Sequence, residues 1–512
     1  MTRNQDESLF IKNVLVTVFD KEPVLPLLKE LNDLNVNFYS TGGTLQFMQQ
    51  NGINAISVES VTSYPSIFGG RVKTLHPKVF GAILSKKDNK EHIEEAKQYD
   101  IPFIDMVIVD LYPFEKILHS GAAFEDVLEN IDIGGISLIR AAAKNFNDVW
   151  IVPSSFYYDK SIEIIKTQAG YVTLEQRREF AAKAFDVSSH YDMAIYQFLS
   201  GEQPESFKAS VSNANILRYG ENPHQEGVFY GNLDNVFHKI QGKPLSYNNL
   251  LDIDAAINLM EEFEQPTFAI IKHNNACGVA TADNITEAYQ KALASNPVAA
   301  FGGILISNSN ITEESAYQIN ELFFEVIISP GYDEKAIELL SSKKNRNILE
   351  IKAESNLPGK QYRSAINGVL VQDKDYGVID KGKWKVVTEQ VPSEQEVNDL
   401  IFADKIVKHT KSNAIILVKN MQLIGSGTGQ TSRVDALKQA ITKAEEFGFD
   451  LNGAVMASDA FFPFSDSVEI AEQAGIKSVV QPGGSVRDKD SIDFCNNNNM
   501  SMVFTGIRHF RH

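Results

Sequence analysis

Short apolar runs alternate with amphipathic helical stretches along this chain, and that alternation leaves few folds open. Val14–Val18 reads as a buried strand, Pro23–Leu34 as an amphipathic helix and Asn37–Tyr39 as a second short strand. Ser40-Thr-Gly-Gly-Thr44 then opens another helix. Ile104–Val109 is a further strand, followed by helix from about Phe124 and by a helix bearing Arg140 and Lys144. Strands alternating with helices imply an α/β fold with a doubly wound parallel sheet. Helical pattern over Leu174–Leu199 closes this first unit, and Ser200–Pro204 reads as a linker. The residues from about 205 onward are too many for one compact core. The polar segment Lys381–Glu396 is the expected internal boundary, followed by helix to about Lys408, a strand Ala414–Val418 and a glycine-rich turn at 425–432. No short sequence repeat is visible.

Composition removes several classes of function. A net charge of −18 opposes general binding to nucleic acid or anionic membranes, although a local cluster of Arg and Lys still suits a small anion. With only Cys277 and Cys495, neither a disulfide framework nor a multi-cysteine zinc site is expected, and no metal is assigned. No apolar run reaches transmembrane length, and the first ten residues lack the apolar core of a signal peptide, so cytoplasm is the expected location.

Candidate chemistry gathers in discrete clusters. Thr267–Gly278 is an apolar strand ending in Lys272, His273, Asn274 and Asn275, followed by an expected glycine turn; the polar set suits acid–base work. In Gly69–Pro77, alternation puts Arg71 and Lys73 on one side beside Thr74, a pattern suited to phosphate or carboxylate. Thr41 and Gly42 sit in a strand–Gly-rich turn–helix that aims backbone N–H groups at an anion. Asp132, with Gly134, Gly135 and Lys144 after it, offers a carboxylate–lysine pair next to free backbone donors. Leu217–Gln225 packs Arg218, Tyr219, Asn222, His224 and Gln225 around a turn. Gly425–Arg433 reads as an anion cradle without the lysine of a P-loop, and Ser458–Phe464 as a carboxylate beside an aromatic wall. The chain ends in Arg508-His509-Phe510-Arg511-His512.

Taken in order, STGGT, GGRVKTLHP, LYPF, IDIGG with RAAAKN, LRYGENPHQ, KHNNACGVA, AFGGI, KSNAI, GTGQTSR, SDAFFPF and PGGS resemble the bifunctional purine-biosynthesis family over residues 10–512. That family pairs an inosinate (IMP) cyclohydrolase with an aminoimidazole-carboxamide ribonucleotide (AICAR) formyltransferase. The resemblance implies a methylglyoxal-synthase-like cyclohydrolase domain over 1–199. It implies a formyltransferase domain over 200–512, built of two cytidine-deaminase-like α/β subdomains. It also implies 10-formyltetrahydrofolate as cosubstrate, AICAR, formyl-AICAR and IMP as ligands, and a homodimer that shares its transferase sites.

By the same resemblance, His273 takes the proton of the AICAR amine, Lys272 tunes it and helps protonate the departing folate nitrogen, and Asn413 holds the formyl oxygen. Arg218, Tyr219, Asn249, Arg433, Arg508 and His512 position the nucleotide, and Glu325 and Asp459 fall where folate or substrate contacts belong. In the cyclohydrolase, Lys21, Thr41, Gly42, Arg71 and Thr74 hold phosphate and ribose. Lys73, Tyr112, Asp132 and Lys144 conduct ring closure, with the amides after Asp132, at Gly134 and Gly135, receiving the oxyanion.

Three positions depart from the family pattern. Phe19 replaces the second hydroxyl of the first-strand loop, Asp110 stands where Asn often precedes Leu-Tyr-Pro-Phe, and Asn296 where Asp usually precedes Pro-Val. An acid at 110 is expected to weaken anion binding or to have a raised pKa. Two other classes compete with this reading. A non-catalytic nucleotide sensor would use the anion loops alone, and a turnover assay separates it. A zinc nucleobase deaminase would need a Pro-Cys-x-x-Cys segment, which does not occur.

Overall fold

The structure is a computed structural model that describes residues 8–201, 205–352, 358–377 and 381–512. Most of the expected linker, Glu202–Pro204, lies outside them. The chain divides into two compact units, Met1–Ser210 and Val211–His512.

The first unit is built on five parallel strands, β1 (Asn13–Val18), β2 (Asn37–Ser40), β3 (Ala55–Ser57), β4 (Met106–Asp110) and β5 (Trp150–Val152), in the order β3-β2-β1-β4-β5. Val14, Val16, Val107 and Ile108 are wholly buried, as strands covered on both faces must be. Helices α1 (Leu25–Asp33), α2 (Gly42–Gln50), α3 (Pro77–Leu84), α4 (Gly134–Lys144) and the long α5 (Leu174–Ser200) flank the sheet. A capping box between Thr173 and Gln176 starts α5.

The second unit carries one twelve-stranded mixed sheet. Its strands are β6 (Phe237–Gln241), β7 (Thr267–Lys272), β8 (Asn275–Thr281), β9 (Ile304–Ser307), β10 (Val326–Ser329), β11 (Asn347–Ile351), β12 (Lys385–Val386), β13 (Ile415–Lys419), β14 (Gln422–Gly427), β15 (Val455–Ser458), β16 (Ser478–Gln481) and β17 (Ser501–Phe504). The order is β6-β11-β10-β9-β7-β8-β14-β13-β15-β16-β17-β12. Each half contains an antiparallel hairpin, β7–β8 or β13–β14, then three parallel strands, then an antiparallel edge strand. The halves meet where β8 runs antiparallel to β14. Helices α6 (Tyr247–Met260) and α8 (Glu394–Lys408) precede the two hairpins, and α7 (Ile285–Ser295) and α9 (Arg433–Glu446) follow them. Corresponding residues lie 147 positions apart through this part of the chain: 252 and 399, 273 and 420, 278 and 425.

Two expectations are corrected here. Gly278 and the glycines at 425–427 do not form turns; they lie within β8 and β14. A Cβ on Gly278 would stand 2.0 Å from the Ala292 carbonyl oxygen of α7, and one on Gly425 would stand 2.4 Å from that of Ala440 in α9. These glycines let a helix lie directly on a strand. The sequence signal was genuine, but close packing and turns both call for a residue without a Cβ. Among the described residues no helix is long and apolar enough to cross a membrane.

Candidate active sites

In the first unit, β2 ends at Ser40 and α2 starts with Gly42 at φ 55°, so the free N–H groups of the first helical turn face outward. Two lysines converge there. A Cβ on Gly42 would lie 3.4 Å from the Lys73 ammonium, and one on Gly43 would lie 3.2 Å from Cε of Lys21. Lys21 Nζ also donates to the Phe19 carbonyl at 3.0 Å. Helix N-terminus and two ammonium groups together suit an anion. Thr41 turns its hydroxyl to Glu59. Arg71 is paired with Glu129 in a mostly exposed ion pair, so the structure does not turn it toward Lys73.

Beside these groups stands a carboxylate at the start of a second helix. Asp132 accepts the Gly135 N–H at 2.6 Å, and Thr74 Oγ1 lies 3.1 Å from where a Cβ on Gly134 would be. Burial pushes the Asp132 carboxyl above its usual range, against the pull of the Gly135 and Tyr112 N–H groups and the charge of Lys73. Lys73, Tyr112 and Asp132 therefore occupy one neighbourhood. Lys144 closes α4 ten residues beyond Gly134, about 15 Å along the helix, and is exposed there. Tyr191 of α5, which the sequence reading missed, accepts the Asp132 N–H at 2.8 Å.

The departures also have places. The Phe19 ring packs against Tyr112 with centroids 5.1 Å apart. Asp110 accepts the Asp20 N–H at 3.3 Å and the Ser155 N–H at 3.4 Å, and burial raises its pKa. It ties two loops at the site's edge.

In the second unit, β7 turns back through His273 (φ 53°) and Asn274 (φ 62°), the left-handed pair of a two-residue hairpin loop. Asp252 of α6 holds this turn, accepting the N–H of His273 at 3.3 Å and of Asn274 at 2.6 Å. Burial raises the Asp252 pKa while these donors oppose it, and the charges of His273 and Glu325 also act on it. Glu325 in turn accepts from Asn249 Nδ2 at 2.8 Å, while Asn249 caps α6 with Ser246. Lys272 reaches the Phe301 carbonyl at 2.7 Å.

A second chain of contacts runs from the hairpin to the buried end of α9. Asn275 Oδ1 accepts the Lys411 N–H at 3.0 Å. Asn413 donates to the carbonyls of Gln430 at 3.0 Å and Thr431 at 3.3 Å, and accepts from Arg433 at 3.0 Å. Arg433 and Asp459 are both buried and form an ion pair, and Arg433 donates to Ser458 Oγ at 2.8 Å. Both amide hydrogens of Asn413 are thus engaged within the protein, with its side chain partly exposed, and Arg433 is buried in its pair with Asp459. Their bonds within the protein were not visible in residue type.

Arg218, Arg508 and His512, also expected at the ligand, each have a partner within the chain. The Arg218 guanidinium lies over Tyr219 at 5.5 Å and that of Arg508 over Phe510 at 4.5 Å. The His512 carbonyl accepts from Arg363 at 3.3 Å. The last residues are tied down: His509 donates its N–H to Asp459 at 2.9 Å, and Arg511 donates to the His409 carbonyl at 2.7 Å.

A family profile described as AICARFT/IMPCHase bienzyme matches residues 142–443, and one described as MGS-like domain matches 23–137. A protein of Bacteroides thetaiotaomicron named bifunctional purine biosynthesis protein PurH is 56% identical, across 99% of this chain and 100% of its own length. The chain belongs to the AICARFT/IMPCHase bienzyme family. Bienzymes of the same name from Caldicellulosiruptor saccharolyticus, at 46% identity over 98% of this chain and 100% of theirs, and Chlorobium phaeobacteroides, at 45% over 98% and 99%, extend the match. The MGS-like domain of this bienzyme contains Lys21's neighbouring helix, Lys73, Tyr112 and Asp132, and the bienzyme match contains Lys272, His273, Asn413 and Arg433.

Proposed function

We infer that this chain transfers the formyl group of 10-formyltetrahydrofolate to the 5-amino group of AICAR and then closes the formylated product to IMP with loss of water. Full-length membership in the bienzyme family carries this reading.

In our assignment, formyl transfer belongs to the His273 hairpin. The AICAR amine is conjugated with its ring and is a poor nucleophile, so it must lose a proton as nitrogen bonds to the formyl carbon. His273 takes that proton. Lys272 helps protonate the tetrahydrofolate nitrogen as the old carbon–nitrogen bond breaks. Asp252 acts as a positioning residue, since its two backbone bonds fix the turn that presents His273. For Asn413 to hold the formyl oxygen, it must give up one carbonyl; its longer bond, to Thr431, is the one we assign to that exchange.

Ring closure belongs to the Lys73–Tyr112–Asp132 neighbourhood. The carboxamide nitrogen attacks the formyl carbon, and the resulting oxygen leaves as water. Lys21, Lys73 and the start of α2 hold the phosphate, and the N–H groups at the start of α4 face the oxyanion. Lys144 is left to a supporting role at the far end of α4. We further read the halves of the second unit as two cytidine-deaminase-like subdomains, supported by their repeated strand order, with the boundary at 381–396 where the second copy begins. A homodimer in the cytoplasm completes the proposal.

The test is incubation with AICAR and 10-formyltetrahydrofolate, following IMP and free tetrahydrofolate. Lys73→Ala should release tetrahydrofolate while formyl-AICAR accumulates. If Lys73→Ala instead stopped tetrahydrofolate release in a folded protein, the assignment of separate sites would fail.

A further inference from the structure

A cavity of about 250 Å³ opens beside the first hairpin, with Lys272 and His273 on its wall together with Asn296, Ser426, Thr428 and Lys443. Its lining includes two lysines and no carboxylate. Lys443, on α9, has no ion pair among the described residues, and burial lowers its pKa despite the attraction of Cys277 and Glu446. Ser426 is only 7% exposed, and its hydroxyl oxygen is closed to solvent with no hydrogen-bond partner. Asn296 has its side-chain oxygen taken by the Ala299 N–H at 2.8 Å, so the group it has left to offer is its NH₂.

A half-buried ammonium without a counter-ion and a buried hydroxyl without a partner both carry a desolvation cost. A site offering donors and no acid is complementary to an oxyanion. The space is small against the volumes that hold whole drug-sized ligands, and suits one compact group. We propose that this cavity binds a compact oxyanion, phosphate or carboxylate, through Lys443 and Asn296, next to His273. The anion has two available sources: free inorganic phosphate, or the glutamate carboxylate of the folate donor. The second source rests on the formyl-transfer reading; the first does not.

Asn296 supplies the most specific test. Asn296→Asp keeps the cap of the short helix that follows, because Asp accepts the same N–H. It also gives Lys443 an internal counter-ion and places a negative charge against any bound anion. Equilibrium dialysis with radiolabelled inorganic phosphate, with AICAR and IMP at saturation to fill the nucleotide sites, measures the remaining phosphate bound per chain. One phosphate on the parent, weakened at least tenfold in both Asn296→Asp and Lys443→Met, supports the site with free phosphate as occupant. Phosphate binding equal in all three proteins, with Lys443→Met raising the KM for 10-formyltetrahydrofolate tenfold but not that for its analogue lacking glutamate, supports the site with the donor's carboxylate as occupant. The proposal is overturned if neither phosphate binding nor that KM depends on Lys443. Should formyl transfer itself be absent, dialysis alone decides, so the two failures remain distinguishable.

Discussion

The two hairpins of the second unit share a scaffold and differ in chemistry. Asp252 receives the N–H groups of His273 and Asn274, and Asp399 receives those of Asn420 and Met421 at 2.9 and 2.7 Å. Both turns place two residues at positive φ. Gly278 and Gly425 each admit a helix onto the returning strand. Even Ser307 and Ser458 repeat the same bond, each reaching the carbonyl two residues on at 2.7 Å. Yet the first turn presents an imidazole and the second an amide and a thioether. Lys272 reaches toward the Phe301 carbonyl, whereas Lys419 is bound to Asp450. The shared geometry thus carries different side chains, and only the first turn offers a ring nitrogen that can take a proton.

The sharpest way to break this comparison is to exchange the turns' losses. His273→Ala should lose on the order of 10²–10⁴ in formyl transfer, the usual worth of a positioned acid–base group. Asn420→Ala should stay within a few-fold of the parent. Steady-state assays of both in the presence of added formyl-AICAR also separate the activities, since ring closure should persist in each. Comparable losses in formyl transfer from the two variants would erase the distinction.

Next in size are the glycines. Gly278→Ala drives a methyl into the Ala292 carbonyl and Gly425→Ala into that of Ala440, where backbone rather than a movable side chain must yield. Each should cost about 3 kcal/mol, the upper end of overpacking penalties, with Gly278→Ala the more severe. Denaturant midpoints measure this. A cost in one half alone would show that the halves are not packed alike.

Asp404 marks a place where the halves differ in the core. It lies on α8 at the position matching Ile257 on α6, is buried, and has an unpartnered Oδ2. Desolvation, opposed by the charges of His509 and Lys408, pushes its pKa up to about 6. The folded state then holds its proton more tightly than the unfolded state. This contribution to stability is present at low pH and is lost as pH rises from the ordinary carboxylate range through 6, by about 2–3 kcal/mol. Asp404→Asn should flatten that slope and raise the melting temperature relative to the parent above pH 7. A gap that stays constant from pH 4 to 8 would contradict the assignment.

The smallest effects should come from the aspartates that hold the turns. Asn at 252 or 399 has one acceptor oxygen where Asp has two, so each change gives up one charge-assisted bond, about 1.5 kcal/mol. Melting should fall similarly for Asp252→Asn and Asp399→Asn. Only Asp252→Asn should also slow formyl transfer, because only its turn carries His273. Equal slowing by both would deny Asp252 a positioning role.

Much of this architecture was legible from residue patterns. Val14–Val18 and Thr267–Lys272 are apolar runs of strand length, and the alternation of strands and helices placed the first unit's parallel sheet. Two subdomains were expected in the second unit, but the repeat that relates them escaped notice because what they share is spaced widely: an aspartate on each preceding helix, a glycine on each return strand, a serine after the next crossover. No short window repeats. Lys144 was grouped with Asp132 by proximity in sequence, but a helix between two residues separates them by its rise. Asn413 and Arg433 were named as ligand contacts through the family resemblance, which did not show that they bond to one another and that Arg433 pairs with Asp459.

By itself the sequence determined the family, the two groups of reactive side chains and the strands that carry them, because residue type and local periodicity are written in contiguous windows. Only the tertiary structure decided that β7 and β8 form a hairpin, that Asp252 steadies it, and that Lys443, Ser426 and Asn296 share a cavity. Those depend on which backbone donors and which side chains meet across long stretches of chain. Such meetings are set by how helices and strands pack, so a residue's chemistry is known from the sequence while its partner is not.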